Sequence, residues 1–274
     1  MNKVNFLIIG AQKSGTTWLV DQLRTHDGVF IPREEIHFFD KEQHYQQGIA
    51  WYHQHFTQGR SNQLLGEKTP DYLTTKCEEF QAFSNIAGRI ADYSKEIKLI
   101  VILRNPVQRA ISAANHMIRM GHVNPFTSLH NLVGEKRNKE ALTFGVLEYG
   151  NYSFFIKKYQ KVFGRKKLLI LNYEQDVKKN PENGLKKVAD FLGVENNFKP
   201  EILNKKSNMF NQSKPALIAK YYLPKAKIFH RVLNKFFKAK KEVPQAEDLK
   251  FLKEYYAPEL ERLEELGFDT SNWK

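Results

Sequence analysis

The 274-residue chain has one cysteine, Cys77. A lone thiol closes no internal disulfide, so the sequence carries no disulfide framework and asks for no oxidising compartment. Cys77 also lacks neighbours at zinc-ligand spacing or in a nucleophilic triad, and is expected on a helix with no chemical role. No signal peptide and no membrane-spanning apolar run is expected in these residues; VNFLIIG (4–10) is too short for either. The expectation is a cytoplasmic protein, or a soluble domain cut from an anchored one. No internal repeat, low-complexity tract or linker divides the chain, so one domain over residues 1–274 is expected.

Negative charge is in deficit. Asp and Glu number 30 against 43 Lys and Arg, a formal net charge of +13. Such a balance speaks about partners rather than fold, and favours nucleic acid, anionic lipid, anionic polysaccharide or a polyanionic cofactor. The denser runs, KKYQKVFGRKK (157–167) and KFFKAKKE (235–242), read first as solvated helix faces. Aromatic residues are not scarce. Twenty Phe and twelve Tyr exclude a disordered chain and suffice for a buried core.

Strand and helix signals alternate. Val4 to Gly10 is a short apolar run ending at glycine, which reads as a buried parallel strand. Helical spacing follows from Thr16 to Thr25 at Trp18, Leu19 and Leu23. KLIVIL (98–103) and KLLIL (167–171) read as further strands. Asn105-Pro106 and Asn180-Pro181 open the helices after them, with Asn as cap and Pro in the first turn. Further helical patterns lie at about 74–93, 143–163, 215–238 and 246–266, with an irregular stretch at 194–214. The alternation predicts an α/β fold with a central parallel sheet flanked by helices.

The first strand–loop–helix has the physics of an anion site. Gly10 and Gly15 keep the glycine spacing of a Walker loop, but Thr16 and Thr17 follow where that loop has Lys-Ser/Thr. The cation, Lys13, stands two residues before Gly15 instead. Backbone N–H groups from Lys13 through Ser14, Gly15 and Thr16 to Thr17 converge on one ligand, and the helix N-terminus adds partial positive charge. The alternative is a tight turn with no ligand.

Three more clusters carry chemistry. In RNPVQRAIS (104–112), Arg104 stands at a strand's carboxyl end and Ser112 about two turns into the next helix. The pair reads as a second phosphate cradle, or Arg104 as one half of a structural ion pair. In EEIHFFD (34–40), Glu35 and His37 face one side of an extended segment. They read as a general base with a supporting partner, or as a surface turn plugged by Phe38-Phe39. In GEKTPDY (66–72), Leu64 to Gly66 ends a short strand and sets Lys68 and Thr69 at its tip, as a site cation or as a solvated turn.

Together these segments resemble one family, the sulfotransferases that use 3′-phosphoadenosine 5′-phosphosulfate, with a P-loop, nucleotide-kinase-like fold. GAQKSGTTWL (10–19) looks like the family's 5′-phosphosulfate loop and ILRNPVQRAIS (102–112) like its 3′-phosphate motif. LLILNYEQDVKKNPENGLKKVADFLGV (168–194) and LKEYYAPELERLEELGFDTSNW (252–273) resemble the segments that follow. The resemblance implies that Lys13 contacts the oxygen bridging phosphate and sulfate, and that Arg104 and Ser112 hold the 3′-phosphate. Trp18 would stack on adenine, and Tyr173 is a lesser donor contact. EIHFFD is similar to the segment of glycosaminoglycan sulfotransferases whose glutamate deprotonates the acceptor. That implies Glu35 as base, His37 and Asp40 as its support, and Lys68, beside Thr69, as a second cation near the sulfate. It implies no metal, adenosine 3′,5′-bisphosphate as product, and an acceptor that is a carbohydrate rather than nucleic acid. Trp51, Tyr52 and Phe56 then offer a sugar platform, although core packing suits two of the three better.

The departures are specific. The Lys-Gly-rich loop of those enzymes has no clean counterpart in NKKSNMFNQSKP (204–215), where Lys205, Lys206 and Lys214 are the available substitutes. Paired cysteines and an anchor are absent, which suggests a bacterial-type relative. A lipid or small-molecule hydroxyl remains the alternative acceptor. A P-loop kinase and a basic polyanion-binding protein are the rival readings.

Overall fold

The computed structural model describes residues 3–74, 86–198, 212–223, 225–238 and 242–273. Five parallel strands form one sheet: β1 (Phe6–Gly10), β2 (Val29–Phe30), β3 (Leu64–Lys68), β4 (Lys98–Leu103) and β5 (Leu168–Asn172), in the order β2-β3-β1-β4-β5. The helices are α1 (Thr16–Leu23), α2 (Glu42–Tyr45), α3 (Gly48–Gln54), α4 (Ile86–Tyr93), α5 (Pro106–Met120), α6 (His130–Val133), α7 (Lys139–Thr143), α8 (Tyr152–Phe163), α9 (Pro181–Leu192), α10 (Lys214–Tyr222), α11 (Lys227–Phe236) and α12 (Ala246–Glu265). A π-helical turn, Tyr173–Lys179, follows β5.

The chain divides into two compact units. One takes Met1–Asn105, Tyr152–Lys205 and Leu263–Lys274; the other takes Pro106–Asn151 and Lys206–Arg262. The first unit holds the sheet. Alternation puts Phe6, Ile8, Ile100 and Ile102 on one face, where they pack with Trp18, Leu19 and Leu23 of α1 and Leu185, Val188 and Leu192 of α9. Leu7, Ile9, Leu99, Val101 and Leu103 point the other way and are buried too. Burial on both faces is why β1 and β4 read as unbroken apolar runs. The second unit packs α5, α6 and α12 around Ala110, Ala114, Met117, Leu132, Leu252 and Tyr256.

The α/β sheet expected from the sequence is the one observed, and β4 has the bounds that KLIVIL gave it. Other expectations need correction. The helix placed at 143–163 begins at Tyr152. Gly145 has φ +59, and a Cβ there would lie 2.5 Å from the Tyr149 ring, so the chain turns instead of coiling. The helix placed at 215–238 is two helices, since residue 224 is proline and Leu223 before it takes extended φ. The short strand placed at 64–66 runs on to Lys68, paired with Ile8 of β1. Strand β2 and the short helices α2, α3, α6 and α7 had no expectation; they are too brief for a periodicity to show. Cys77 and most of the helix placed at 74–93 lie outside the described residues, as do Lys205 and Lys206. Lys214 opens α10.

Candidate active site

The carboxyl ends of β1, β3, β4 and β5 share one edge of the sheet, the edge at which open parallel sheets bind ligands. The loop after β1 turns there. Ala11 N–H donates to the Ile102 carbonyl at 2.9 Å, tying the loop to β4. Lys13 and Gly15 then take left-handed backbone, φ +65 and φ +94, with Gly15 as the N-cap residue of α1. At Gly15 a Cβ would lie 2.8 Å from the Tyr173 ring, so both conformation and space require glycine. Arg104, one residue past β4, donates from Nη1 to the Lys13 carbonyl at 3.1 Å and lies over the Tyr173 ring.

Two polar atoms of this wall are buried without a hydrogen-bond partner: Ser14 Oγ and Arg104 Nε. Orphaned buried polar atoms are rare in folded proteins, and a wall built for anion oxygens is one setting that uses them. Below the wall, Glu174 accepts hydrogen bonds from the Asn105 backbone N–H and, at 2.7 Å, from the Trp273 indole. Asn172 caps the turn after β5, accepting from the N–H groups of Glu174 and Gln175.

A second group stands at the end of β3. Lys68 is ion-paired with Glu35. Glu35 lies 3.5 Å from His37 Nε2, and His37 Nδ1 lies 2.8 Å from Asp40. Burial pushes the Glu35 carboxyl up, but His37 and Lys68 outweigh it and hold it down at about 2. Burial pushes the His37 imidazole down, but Asp40 and Glu35 overcome it and raise it to about 9. At neutral pH His37 is therefore an imidazolium and Glu35 a carboxylate, within the row Asp40–His37–Glu35–Lys68. His37, Asp40 and Asp71 bring three ligand-type atoms within 4.8 Å of one another.

Two links join the group to its surroundings. Gln12 of the anion loop donates to Asp71, which lies 4.0 Å from His37 Nδ1. Beneath, the fully buried Glu67 of β3 accepts from the hydroxyls of Tyr52 (2.6 Å), Thr69 (2.7 Å) and Tyr72 (2.7 Å). The Tyr72 hydroxyl oxygen accepts from the Phe38 N–H at 2.8 Å, fixing the segment that carries Glu35 and His37. Gln12, Glu67, Asp71 and Glu174 were not singled out from the sequence as site residues. All four stood inside segments that were, but only the fold aims them.

Of the residues expected at the site, Lys13, Ser14, Gly15, Thr16 and Thr17 form the loop and the start of α1, with Arg104 and Tyr173 against it. Glu35, His37, Asp40, Lys68 and Thr69 come together as one cluster. Trp18, offered as a ring for adenine, is 8% exposed and packs in the core with Leu19 and Leu23. Of the three aromatics offered as a sugar platform, Tyr52 and Phe56 are core residues, while Trp51 is half-buried and stacks on Phe38. Ser112 lies half-buried on α5, in the second unit.

One edge of the parallel α/β sheet thus carries the Lys13–Thr17 loop after β1 and the row of Asp40, His37 and Glu35, from the segment after β2, with Lys68 at the end of β3. Residues 3–262 match the model of the sulfotransferase domain family, and the chain belongs to that family. It is 32% identical over 213 residues to heparan sulfate glucosamine 3-O-sulfotransferase 3B1 of Mus musculus, a match covering 76% of this chain and 49% of the relative. The human protein of that name is 30% identical over 210 residues, with the same coverage. The chain thus spans about half the length of the curated relatives it matches. Among solved structures, the sulfotransferase from Alicyclobacillus acidocaldarius superposes with a TM-score of 0.69 at 23% identity, covering 100% of this chain and 99% of that one. At that identity the likeness concerns the fold.

Proposed function

We propose that the protein transfers a sulfuryl group from 3′-phosphoadenosine 5′-phosphosulfate to a hydroxyl of a carbohydrate acceptor, with Glu35 as general base. The observation that carries the reading is the row Asp40–His37–Glu35–Lys68 on the same sheet edge as the Lys13–Thr17 loop. The donor supplies an activated sulfur with a phosphate leaving group. The loop's N–H groups, Ser14 and Arg104 suit its anionic oxygens, and the unpartnered Ser14 Oγ and Arg104 Nε leave donor capacity for them.

The chain's own groups divide the work. Glu35 accepts the acceptor's hydroxyl proton while the acceptor oxygen bonds to sulfur and the sulfur–phosphate oxygen bond breaks. Lys68 holds Glu35 ionised at rest and stabilises negative charge around the sulfuryl oxygens. His37, pinned by Asp40, orients Glu35 and stays protonated. Lys13 neutralises charge on the departing oxygen. The logic is positioning and preorganised charge. A carbohydrate acceptor is supported by the names of the relatives, which act on heparan sulfate glucosamine, and by the net charge of +13.

The test is a thermal shift with adenosine 3′,5′-bisphosphate against ATP with magnesium, joined to turnover of labelled donor with glycan acceptors. Stabilisation by the bisphosphate alone, and sulfate appearing on a glycan, are the expected results. Stabilisation by ATP with magnesium alone would sink the reading in favour of a kinase.

A further inference from the structure

The second unit carries a helix turned inside out. On α11, Ile228, Val232 and Phe236 recur every four residues and so form one stripe. Ile228 and Phe236 are each 77% exposed and Val232 is 44% exposed, with Phe229 exposed beside them. The opposite face is polar and points inward. Asn234 Oδ1 accepts from the Ser213 N–H at 2.7 Å and from its hydroxyl at 3.1 Å, at the start of α10. His230 Nε2 donates to the Leu223 carbonyl at 2.9 Å. A helix that serves only its own core shows the reverse arrangement.

The apolar stripe has a basic border. Arg231 and Lys235, also four apart, directly precede Val232 and Phe236, and with Lys238 they are exposed. Among the described residues these three cations form no ion pair. From Lys225 to Glu242 the sequence has six Lys and one Arg against one Glu. Tyr222 and Leu223, at the end of α10, and Phe237, just after α11, extend the exposed apolar surface.

The geometry points to a peripheral membrane contact, in which α11 lies in the plane of an anionic lipid surface. Ile228, Phe229, Val232 and Phe236 enter the boundary between headgroups and acyl chains, while Arg231, Lys235 and Lys238 meet lipid phosphates. Other occupants fit less well. A symmetric self-contact through this face would bring its cations against their own copies. A polyanionic glycan or nucleic acid would neutralise the cations but leave Ile228 and Phe236 in water. A surface that is both anionic and apolar meets both halves of the pattern. The inference is independent of sulfuryl transfer.

Co-sedimentation with vesicles tests it, using phosphatidylcholine alone and phosphatidylcholine containing phosphatidylglycerol. Binding to the mixed vesicles only, weakening as salt rises, is expected. The pair Ile228→Glu and Phe236→Glu should lower the bound fraction about tenfold, as should Arg231→Glu with Lys235→Glu, both without change in melting temperature, because these side chains are exposed. Failure of the unaltered protein to bind mixed vesicles overturns the inference whatever the variants do. So does undiminished binding by folded Ile228→Glu/Phe236→Glu protein. Retention on a sulfated polysaccharide without vesicle binding, or a dimer abolished by Ile228→Glu without vesicle binding, gives the face to another partner and likewise overturns it.

Discussion

Lys68, the last residue of β3, holds the carboxylate of Glu35 in an ion pair, and His37 faces the other oxygen of that carboxylate. The pairing keeps the proposed base ionised far below neutrality. It also sets the pH behaviour of the site, because each group's state depends on its neighbour.

The acid side follows from Glu35. Its folded-state value, about 2, lies below the ordinary 4.5. Its contribution to stability is therefore present above pH 4.5 and is lost as pH falls toward 2. Lys68→Ala removes one of the two groups holding the value down. The acid limb of kcat/KM should then move up toward the ordinary carboxylate range. A limb that stays in place in Lys68→Ala would show that another group sets it.

The alkaline side follows from His37, raised from 6.5 to about 9. A raised value means stability present below pH 6.5 and lost as pH rises through 9. The kcat/KM profile should fall on the alkaline side near that value, and His37→Gln should remove that limb. Glu35→Gln and Lys13→Ala should each lower turnover by about 100-fold or more with melting temperature preserved, as measured on labelled donor.

Gly15 is held by two independent demands, a left-handed φ and the Tyr173 ring. Gly15→Ala should destabilise by about 1–3 kcal/mol in urea unfolding. Adding Tyr173→Ala should recover only the contact part, since the backbone conformation is still strained. Full recovery in the double variant would mean that the ring alone excludes a side chain.

Glu67 collects three hydroxyl donors in a site without solvent, and burial pushes its carboxyl up against those hydrogen bonds. Glu67→Ala strands the three hydroxyls and opens a cavity, at about 3 kcal/mol or more. Glu67→Gln keeps the volume and an acceptor and should cost about 1 kcal/mol. Because Tyr72 links Glu67 to Phe38, Glu67→Ala should also reduce turnover, by loosening Glu35. Full activity in a folded Glu67→Ala protein would remove that positioning role.

Trp273 reaches Glu174 through its indole N–H, and its carbonyl accepts from the Asn105 side chain at 3.0 Å. Trp273→Phe should cost about 1 kcal/mol from the one hydrogen bond that Glu174 loses, and Trp273→Ala about 3–5 kcal/mol. Since Asn105 follows Arg104, both variants should raise KM for the donor more than they lower kcat. Denaturant melts and initial rates separate the two effects.

The sequence by itself determined the α/β order of elements, the glycine-bearing loop after β1 and the residue types of the cluster. Local rules decide those features. An apolar run ending at glycine makes a buried strand, Asn-Pro opens a helix, and a displaced lysine before Gly15 marks the loop. Tertiary structure alone decided which groups meet. Glu35 and Lys68 are 33 positions apart in the chain, and parallel pairing of β2 with β3 brings the segment after one strand to the end of the other. The same holds for the buried place of Trp18, whose helical spacing marked it as a helix residue while the resemblance of its loop offered it to adenine. It holds also for the outward apolar face of α11, since periodicity reports that a helix has two faces and not which one the protein covers. Charge, spacing and propensity are written residue by residue, whereas ionisation states and exposed faces depend on what the fold sets beside each residue.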